Sequence, residues 1–313
     1  MLRNFVILAF QLLSYLTLSQ TDGTIVERVE LKNFEQLLSY IKKTEARDSI
    51  KLDAGCFAYF DKVNVQGITY WSDSLKIKGF LLQPKNPGKY PAIVYNRGGS
   101  LDFGSLTHHV SSIGLGELAR LSYEGYVIAA SQYRGNGGSE GKEEYGGSDI
   151  NDVLNLISIL ESEPKADANK LGMFGWSRGA MTSFLTIRHT KKVKALVVGG
   201  PSTNLTRSII DRPELDVWWS EFIPNYNVNK REVLQKRSAI YWVHELPETP
   251  ILILQGEDDK ALLVDYTLDF AKELSKNKVP YRLLKFEGGT HSLKEYREEV
   301  YDEILVWFKK YLK

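Results

Sequence analysis

One short segment, Gly175-Trp176-Ser177-Arg178-Gly179, constrains the fold more than any other part of the sequence. The apolar run 170–175 leads directly into it, and a helix-like stretch, 180–187, follows. The pattern G-x-S-x-G between a strand and a helix is typical of a sharp turn that lifts a serine hydroxyl clear of a sheet. The flanking glycines would let strand and helix approach closely, so Ser177 is the candidate nucleophile at the positive end of a helix.

Apolar runs alternate with amphipathic stretches over most of the chain. One amphipathic stretch has Val153, Leu156, Ile157 and Leu160 on a single helical face. This alternation predicts a mostly parallel sheet with helices on both faces, and chemistry at the carboxyl ends of the strands. A strand pair, 62–70 and 75–82, is expected before the parallel strands. The predicted parallel strands are 91–95, 126–131, 170–175, 193–198, 250–254 and 281–286.

A serine hydroxyl needs a base, and a hydrolase with this turn has its acid and then its histidine later in the chain. His291 follows the last predicted strand on a glycine-rich loop, whereas His244 lies in an irregular segment and is expected at the surface. The strand 250–254 ends in three carboxylates, and spacing alone leaves both Asp258 and Asp259 open as the acid. These features predict an α/β-hydrolase fold.

The loop after strand 91–95 contains Arg97, Gly98 and Gly99. Backbone N–H groups of paired glycines can approach a developing oxyanion closely, because no Cβ intervenes. Together with the N–H of Arg178, they are the candidate oxyanion hole. The competing interpretation is an ordinary glycine turn.

The segment 201–247 is long, aromatic and irregular, which is unusual for a connection inside a compact domain. It predicts a small helical cap over the site, with Trp218, Trp219 and Phe222 joining Trp176 in a substrate pocket. The alternative is a helical excursion that only packs against the domain.

The sequence resembles the catalytic domain of the prolyl oligopeptidase family of serine peptidases, which includes dipeptidyl and acylaminoacyl peptidases. The resemblance spans most of 90–313. It rests on Tyr133-Arg134-Gly135 with Gly146-Gly147 and Asp149, on Gly175-Trp176-Ser177-Arg178-Gly179, on Arg237-Ser238-Ala239-Ile240, on Gly256-Glu257-Asp258-Asp259, and on His291.

The resemblance implies roles for single residues and also shows departures. In the family the acid stands three residues after the glycine that ends the strand, which implies Asp259. Arg97 stands where some members of the family carry an oxyanion-hole tyrosine. The oxyanion hole would then consist of backbone donors alone, or Arg97 would bind an anionic substrate group. The third alternative is that Arg97 forms a salt bridge. Ala239 replaces the family's proline. The stretch before the core is too short for the β-propeller that the family's peptidases usually carry.

The N-terminus predicts a secretory signal over 1–19. Arg3 precedes an apolar run that is shorter than the ~20 residues a bilayer-spanning helix needs, and cleavage is expected before Gln20. An uncleaved anchor is the alternative. We therefore expect a secreted or periplasmic protein with no membrane span after cleavage, a helical preamble over 20–61 and a catalytic domain over 62–313.

Composition argues against several other classes. The net charge is +1 with both signs interspersed, so no nucleic-acid partner is expected. Cys56 is the single cysteine and cannot form an internal disulfide. His108-His109 has no third ligand at a sensible spacing, and the glycine-rich stretch 133–141 fits no nucleotide fingerprint. We expect neither a metal nor a cofactor.

These observations predict a serine hydrolase that cleaves peptide or acyl bonds through an acyl-enzyme. A carboxylesterase or sugar-acyl esterase is the runner-up. A non-catalytic binding protein on the same fold is the third hypothesis, but such a protein would be expected to have lost one of the three candidate residues.

Overall fold

The computed structural model describes residues 21–45, 58–101, 103–107 and 113–313. The predicted signal 1–19, Cys56 and His108-His109 lie outside these residues, and the inferences drawn from them stay predictions. Within the described ranges, no helix combines the length and apolar character needed to cross a membrane.

A nine-stranded sheet forms the centre of the described domain, with strand order β1-β2-β3-β5-β4-β6-β7-β8-β9. The six strands from β4 to β9 pair in parallel, as the apolar runs predict. All six therefore end at one edge of the sheet. Their bounds are β4 Tyr90–Asn96, β5 Val127–Ser131, β6 Ala166–Trp176, β7 Val193–Gly199, β8 Ile251–Gly256 and β9 Tyr281–Phe286.

The first three strands form an antiparallel extension of the sheet. The predicted pair is present as β2, Val63–Ser72, and β3, Leu75–Pro84. Ahead of them, β1, Ile25–Glu30, pairs with β2, and the helix α1 spans Phe34–Glu45. The preamble is thus not only helical: β1 was not expected, because its charged, half-exposed residues give no apolar run.

Helices cover both faces of the sheet, which confirms the predicted α/β-hydrolase architecture. The helices α1, α2 (Leu115–Tyr123) and α9 (Arg297–Leu312) pack on one face. The opposite face carries α3 (Asp149–Ser162), α4 (Arg178–His189) and α8 (Val264–Lys276). The strands β4, β5, β7 and β8 are almost completely buried, as expected for a sheet covered on both sides, whereas the outermost parallel strand, β9, is mostly half-exposed or exposed.

The chain between β7 and β8 leaves the sheet and forms three short helices, α5 (Leu205–Asp211), α6 (Glu214–Phe222) and α7 (Tyr226–Lys236). Two 3₁₀ turns, 239–241 and 243–245, return the chain to β8. This cap segment lies within the predicted range 201–247.

Candidate active site

The turn at Ser177 joins β6 to α4 in a strained conformation. Ser177 has φ 57° and ψ −120°, a region that residues other than glycine rarely adopt. A Cβ on Gly175 would lie 2.3 Å from the Gly179 carbonyl oxygen, and one on Gly179 would lie 1.9 Å from the Asn96 oxygen. Both glycines are therefore needed for strand and helix to approach, as the motif predicts.

Asp259 and His291 lie close together at the carboxyl edge of the sheet. Asp259 Oδ2 is 2.7 Å from His291 Nδ1, and its Oδ1 accepts hydrogen bonds of 2.8 Å from the N–H groups of Ala261 and Leu262. The Asp259 carboxylate is buried, whereas Asp258 is exposed. The contact with His291 therefore distinguishes the two carboxylates that spacing left open.

Two close approaches hold the His291 loop against the sheet. Trp176 Nε1 donates a 3.0 Å hydrogen bond to the His291 carbonyl oxygen. A Cβ on Gly200 would lie 2.9 Å from His291 Nδ1, so only glycine leaves room for the imidazole there. Gly200, with φ +46°, was not singled out from the sequence, although its position directly after β7 is a signal that could have found it.

Ser177 and His291 line one cavity of about 500 Å3 between the sheet edge and the cap segment. His244, the other downstream histidine, is 67% exposed and does not line this cavity. The described lining of the cavity includes Gly98, Gly99, Tyr145, Trp176, Ser177, Arg178, Arg212, Leu215, Trp218, Trp219, Leu262 and His291.

The loop after β4 runs directly beside the serine. A Cβ on Gly98 would lie 3.2 Å from Ser177 Cβ and 3.0 Å from the Trp176 oxygen. Gly99 has φ +68°, and a Cβ there would lie 2.1 Å from the Phe103 oxygen. The two glycines thus bring their backbone within reach of the cavity, as a candidate oxyanion loop requires.

The Arg97 side chain does not reach the cavity, contrary to the hypothesis that it binds an anionic substrate group. Its guanidinium is fully buried and donates to the carbonyl oxygens of Gln132 (2.9 Å), Gly98 (3.0 Å) and Leu101 (3.0 Å). Tyr133 Oη donates to the Arg97 carbonyl oxygen at 3.1 Å. Arg97 therefore holds the loop from inside the protein, because its guanidinium bonds two carbonyl oxygens of the loop, those of Gly98 and Leu101, and the buried carbonyl oxygen of Gln132.

Arg178 has a second role besides its backbone N–H. Its guanidinium is 2% exposed and forms ion pairs of 2.8 Å with Glu143 and with Asp149. The rings of Tyr133 and Tyr145 lie 5.1 and 4.7 Å from its Cζ, a cation–π arrangement. These partners come from the segment between β5 and α3 and from Asp149, the first residue of α3, and no motif indicates their contact with Arg178.

The structure brings three of the four aromatic residues predicted for a substrate pocket to the cavity. Trp176, Trp218 and Trp219 line the cavity. Phe222 does not: it packs behind Trp218, with ring centroids 5.4 Å apart, and is buried. Phe222 lies one helical turn after Trp218 on α6.

Two arginines and no carboxylate line the cavity among the described residues. Arg178 is neutralised by its buried partners. Arg212 is 39% exposed, and its guanidinium donates hydrogen bonds to the Glu214 carboxylate at 2.9 Å and to the Ala261 carbonyl oxygen at 3.3 Å. Glu214 is 65% exposed, so the charge of Arg212 is only partly compensated.

Known proteins with a similar fold or sequence are peptidases or acylamino-acid-releasing enzymes. A solved acylaminoacyl peptidase with a bound chloromethyl ketone has a TM-score of 0.70 at 21% identity, over 83% of this chain and 44% of that chain. The uncharacterized peptidase YtmA of Bacillus subtilis is 26% identical over 73% of this chain and 86% of its own length. The acylamino-acid-releasing enzyme of Mus musculus is 25% identical over 85% of this chain. This chain spans only 37% of that enzyme.

The fold and these relatives define a serine hydrolase of the peptidase class on an α/β-hydrolase fold. A family model described as the prolyl oligopeptidase family matches residues 114–313, which is more than half of the chain. The chain therefore belongs to the prolyl oligopeptidase family, as its motifs indicated.

Glu143→Gln should lower the stability of the protein in a pH-dependent way. Burial raises the pKa of Glu143, but Arg178 and the hydrogen bond from the Leu101 N–H outweigh burial and hold that pKa below its usual 4.5. A carboxyl with a lowered pKa stabilises the fold above its unfolded pKa and loses that contribution as pH falls through the folded pKa. Breaking the buried pair should cost about 3 kcal/mol at neutral pH.

Urea unfolding of the wild type and Glu143→Gln at several pH values measures this effect. The difference in free energy of unfolding should be constant at neutral pH and shrink below pH 4.5. The control is Glu232→Gln, which removes an exposed pair with Lys236 and should change stability by less than about 0.5 kcal/mol. A difference that grows as the pH falls contradicts the prediction.

Proposed function

We propose that this chain hydrolyses peptide or acyl bonds through an acyl-enzyme on Ser177, with His291 as base and Asp259 as the acid partner. The observation that carries the proposal is the 2.7 Å contact between Asp259 and His291 beside a cavity that Ser177 also lines. A hydroxyl and an oriented imidazole that line the same cavity are the components that nucleophilic catalysis needs.

The proposed reaction has two displacements. The imidazole of His291 takes the proton from Ser177 Oγ, which bonds to the substrate carbonyl carbon and forms a tetrahedral oxyanion. His291 then gives this proton to the leaving nitrogen or oxygen as its bond to carbon breaks. Water, deprotonated by His291, attacks the acyl-enzyme, and collapse of the second tetrahedral intermediate releases the acid and restores the Ser177 hydroxyl.

Asp259 and the backbone donors have supporting roles in this scheme. Asp259 would hold His291 in one tautomer and stabilise the imidazolium, and the bonds from Ala261 and Leu262 keep its carboxylate oriented. The Arg178 N–H and an N–H from the loop 97–99 would bind the oxyanion. The closeness of Gly98 to the Ser177 Cβ supports this assignment.

The cavity chemistry favours a substrate whose acyl side carries no positive charge. Trp218, Trp219 and Leu215 offer an apolar wall, and the described lining contains arginines but no carboxylate to pair with a free α-ammonium group. Several relatives are acylamino-acid-releasing enzymes. We therefore propose peptides with a blocked N-terminus as the leading substrate class, with esters as the competing one.

A fluorophosphonate probe should label the wild-type chain on Ser177. The probe forms a covalent bond only with a serine whose hydroxyl is activated, so Ser177→Ala should abolish labelling and reduce peptide and ester turnover by at least about 10³-fold. Gel fluorescence of the full chain measures labelling. Absence of labelling in folded wild-type protein would refute the hydrolase mechanism and favour the binding-protein hypothesis.

Asp259→Asn should cost far more activity than Asp258→Asn. Only Asp259 contacts the imidazole, and loss of such a carboxylate costs about 10⁴-fold in kcat. Asp258→Asn removes an exposed charge one residue away and serves as the matched control, expected within about twofold. Steady-state kinetics on a single chromogenic ester compares the two, and equal losses would refute the assignment of the acid.

A matched set of phenylalanine substrates tests the substrate class. The N-acetylated para-nitroanilide should exceed the free-amine para-nitroanilide in kcat/KM by about tenfold, equivalent to ~1.4 kcal/mol, because an ammonium group would face Arg212 and would find no carboxylate in the described lining. Turnover of the N-acetylated para-nitrophenyl ester provides the reference for ester cleavage. A chain that cleaves the ester but neither anilide is an esterase, and one that prefers the free amine contradicts the proposed acyl-side chemistry.

A further inference from the structure

A buried group of side chains lies directly beneath the serine. We call Arg178, Glu143, Asp149, Tyr133 and Tyr145 the Arg178 cluster. Its two carboxylates are 0% and 3% exposed, and Arg178 sits between them with ion pairs of 2.8 Å on each side. Nothing in the proposed displacement steps uses these side chains, although Arg178 immediately follows the nucleophile.

The same guanidinium reaches across to the loop after β4. Arg178 Nη1 donates to the Gly99 carbonyl oxygen at 3.0 Å and lies 3.3 Å from Ser100 Oγ. Glu143 accepts a 3.0 Å hydrogen bond from the Leu101 N–H, so the far end of this loop is held by the partner of Arg178. One side chain therefore links the turn that carries Ser177 to the loop that carries the glycine donors.

The loop needs such external contacts. Gly99 adopts φ +68° with its backbone against Phe103, a conformation that glycine permits but that a free chain would not hold. Oxyanion donors must lie within 2.7–3.1 Å of the oxygen to be effective, a tolerance of a few tenths of an ångström. A loop that drifted by an ångström would lose its contribution to the transition state.

We propose that Arg178 is a positioning residue whose guanidinium sets the spacing between its own backbone N–H and the N–H donors of Gly98 and Gly99. The inference rests on the proposed function, because it assumes that these groups form the oxyanion hole. Burial of a paired arginine alone does not require this role, since apolar replacement of a buried ion pair is often neutral or stabilising. The contact with Gly99 gives the arginine a function that an apolar residue of similar size cannot supply.

The pKa values of Arg178 and Glu143 fit an ion pair in which both groups stay charged. Burial would lower the pKa of Arg178, but attraction to Glu143 and Asp149 outweighs burial and raises that pKa. Burial would raise the pKa of Glu143, but the charge of Arg178 outweighs it and lowers that pKa. The link is thus present across the neutral pH range.

The experiment compares Arg178→Met and Arg178→Lys with the wild type on an acyl para-nitrophenyl ester and its thiono analogue, in which sulfur replaces the carbonyl oxygen. Both variants keep the backbone N–H. Arg178→Met should lower kcat on the oxygen ester by about 10²-fold with KM changed less than about threefold, as expected for loss of a donor used only in the transition state. Sulfur is a poor hydrogen-bond acceptor, so the oxygen-to-sulfur rate ratio should fall toward one.

Arg178→Lys should not restore the wild-type rate. A single ammonium group keeps the charge, but it cannot span Gly99, Glu143 and Asp149 together as the planar guanidinium does. The matched control is Glu163→Gln, a buried carboxylate paired with Arg28 just beyond the opposite end of α3, which should leave kcat and the rate ratio unchanged.

The outcomes separate the two proposals. Wild-type protein that neither labels nor turns over defeats the proposed function. The positioning role alone is overturned if the wild type is active and the folded Arg178 variants keep kcat within about threefold of it. It is also overturned if these variants lose rate equally on both esters. If Arg178→Met does not fold, Glu143→Gln gives the same readouts, because it keeps an amide oxygen for Leu101 but removes the charge facing Arg178. Its rate ratio should fall, and an unchanged ratio also overturns the role.

Discussion

The backbone of Ser177 has φ 57° and ψ −120°, and the rest of the site is built around this one strained residue. Such a conformation costs about 1–3 kcal/mol and persists only where surrounding structure imposes it. Here the Ser177 N–H donates to the Gly199 oxygen at 2.8 Å, and its carbonyl oxygen accepts from Ala180 at 3.0 Å. The neighbouring strand and the first turn of α4 thus hold the turn from both sides, with glycines where side chains would collide.

The same close packing brings the other loops to the serine. Because the parallel strands end at one edge, the loops after β4, β7, β8 and β9 all meet at the turn after β6. Two of them approach so closely that a Cβ would collide or crowd: Gly98 lies against Ser177, and Gly200 lies against His291. The geometry therefore depends on backbone contacts, and side-chain chemistry is placed on a framework that is already fixed.

Much of this framework could be predicted from the sequence, because buried parallel strands give apolar runs and the strained turn demands glycines at fixed offsets. Spacing could not choose between Asp258 and Asp259, since the choice depends on which carboxylate turns inward beneath His291. The strand β1 could not be predicted because its pairing with β2 is set by backbone hydrogen bonds, while half of its side chains are charged and most are exposed. The partners of Arg97 and Arg178 also escaped, because they are backbone carbonyls and carboxylates brought together by loops distant in sequence.

The two arginines of the cavity illustrate how surroundings separate identical side chains into different roles. Arg178 faces two buried carboxylates, so its charge is compensated and what it adds to the site is geometry. The oxyanion would then be stabilised by oriented N–H dipoles, which need no reorganisation during the reaction. Among the residues that the structure describes, the acidic partner of Arg212 is the exposed Glu214, so its charge remains partly available to a bound substrate. Catalytic geometry and substrate choice can thus vary independently, since one is set beneath the serine and the other at the cap.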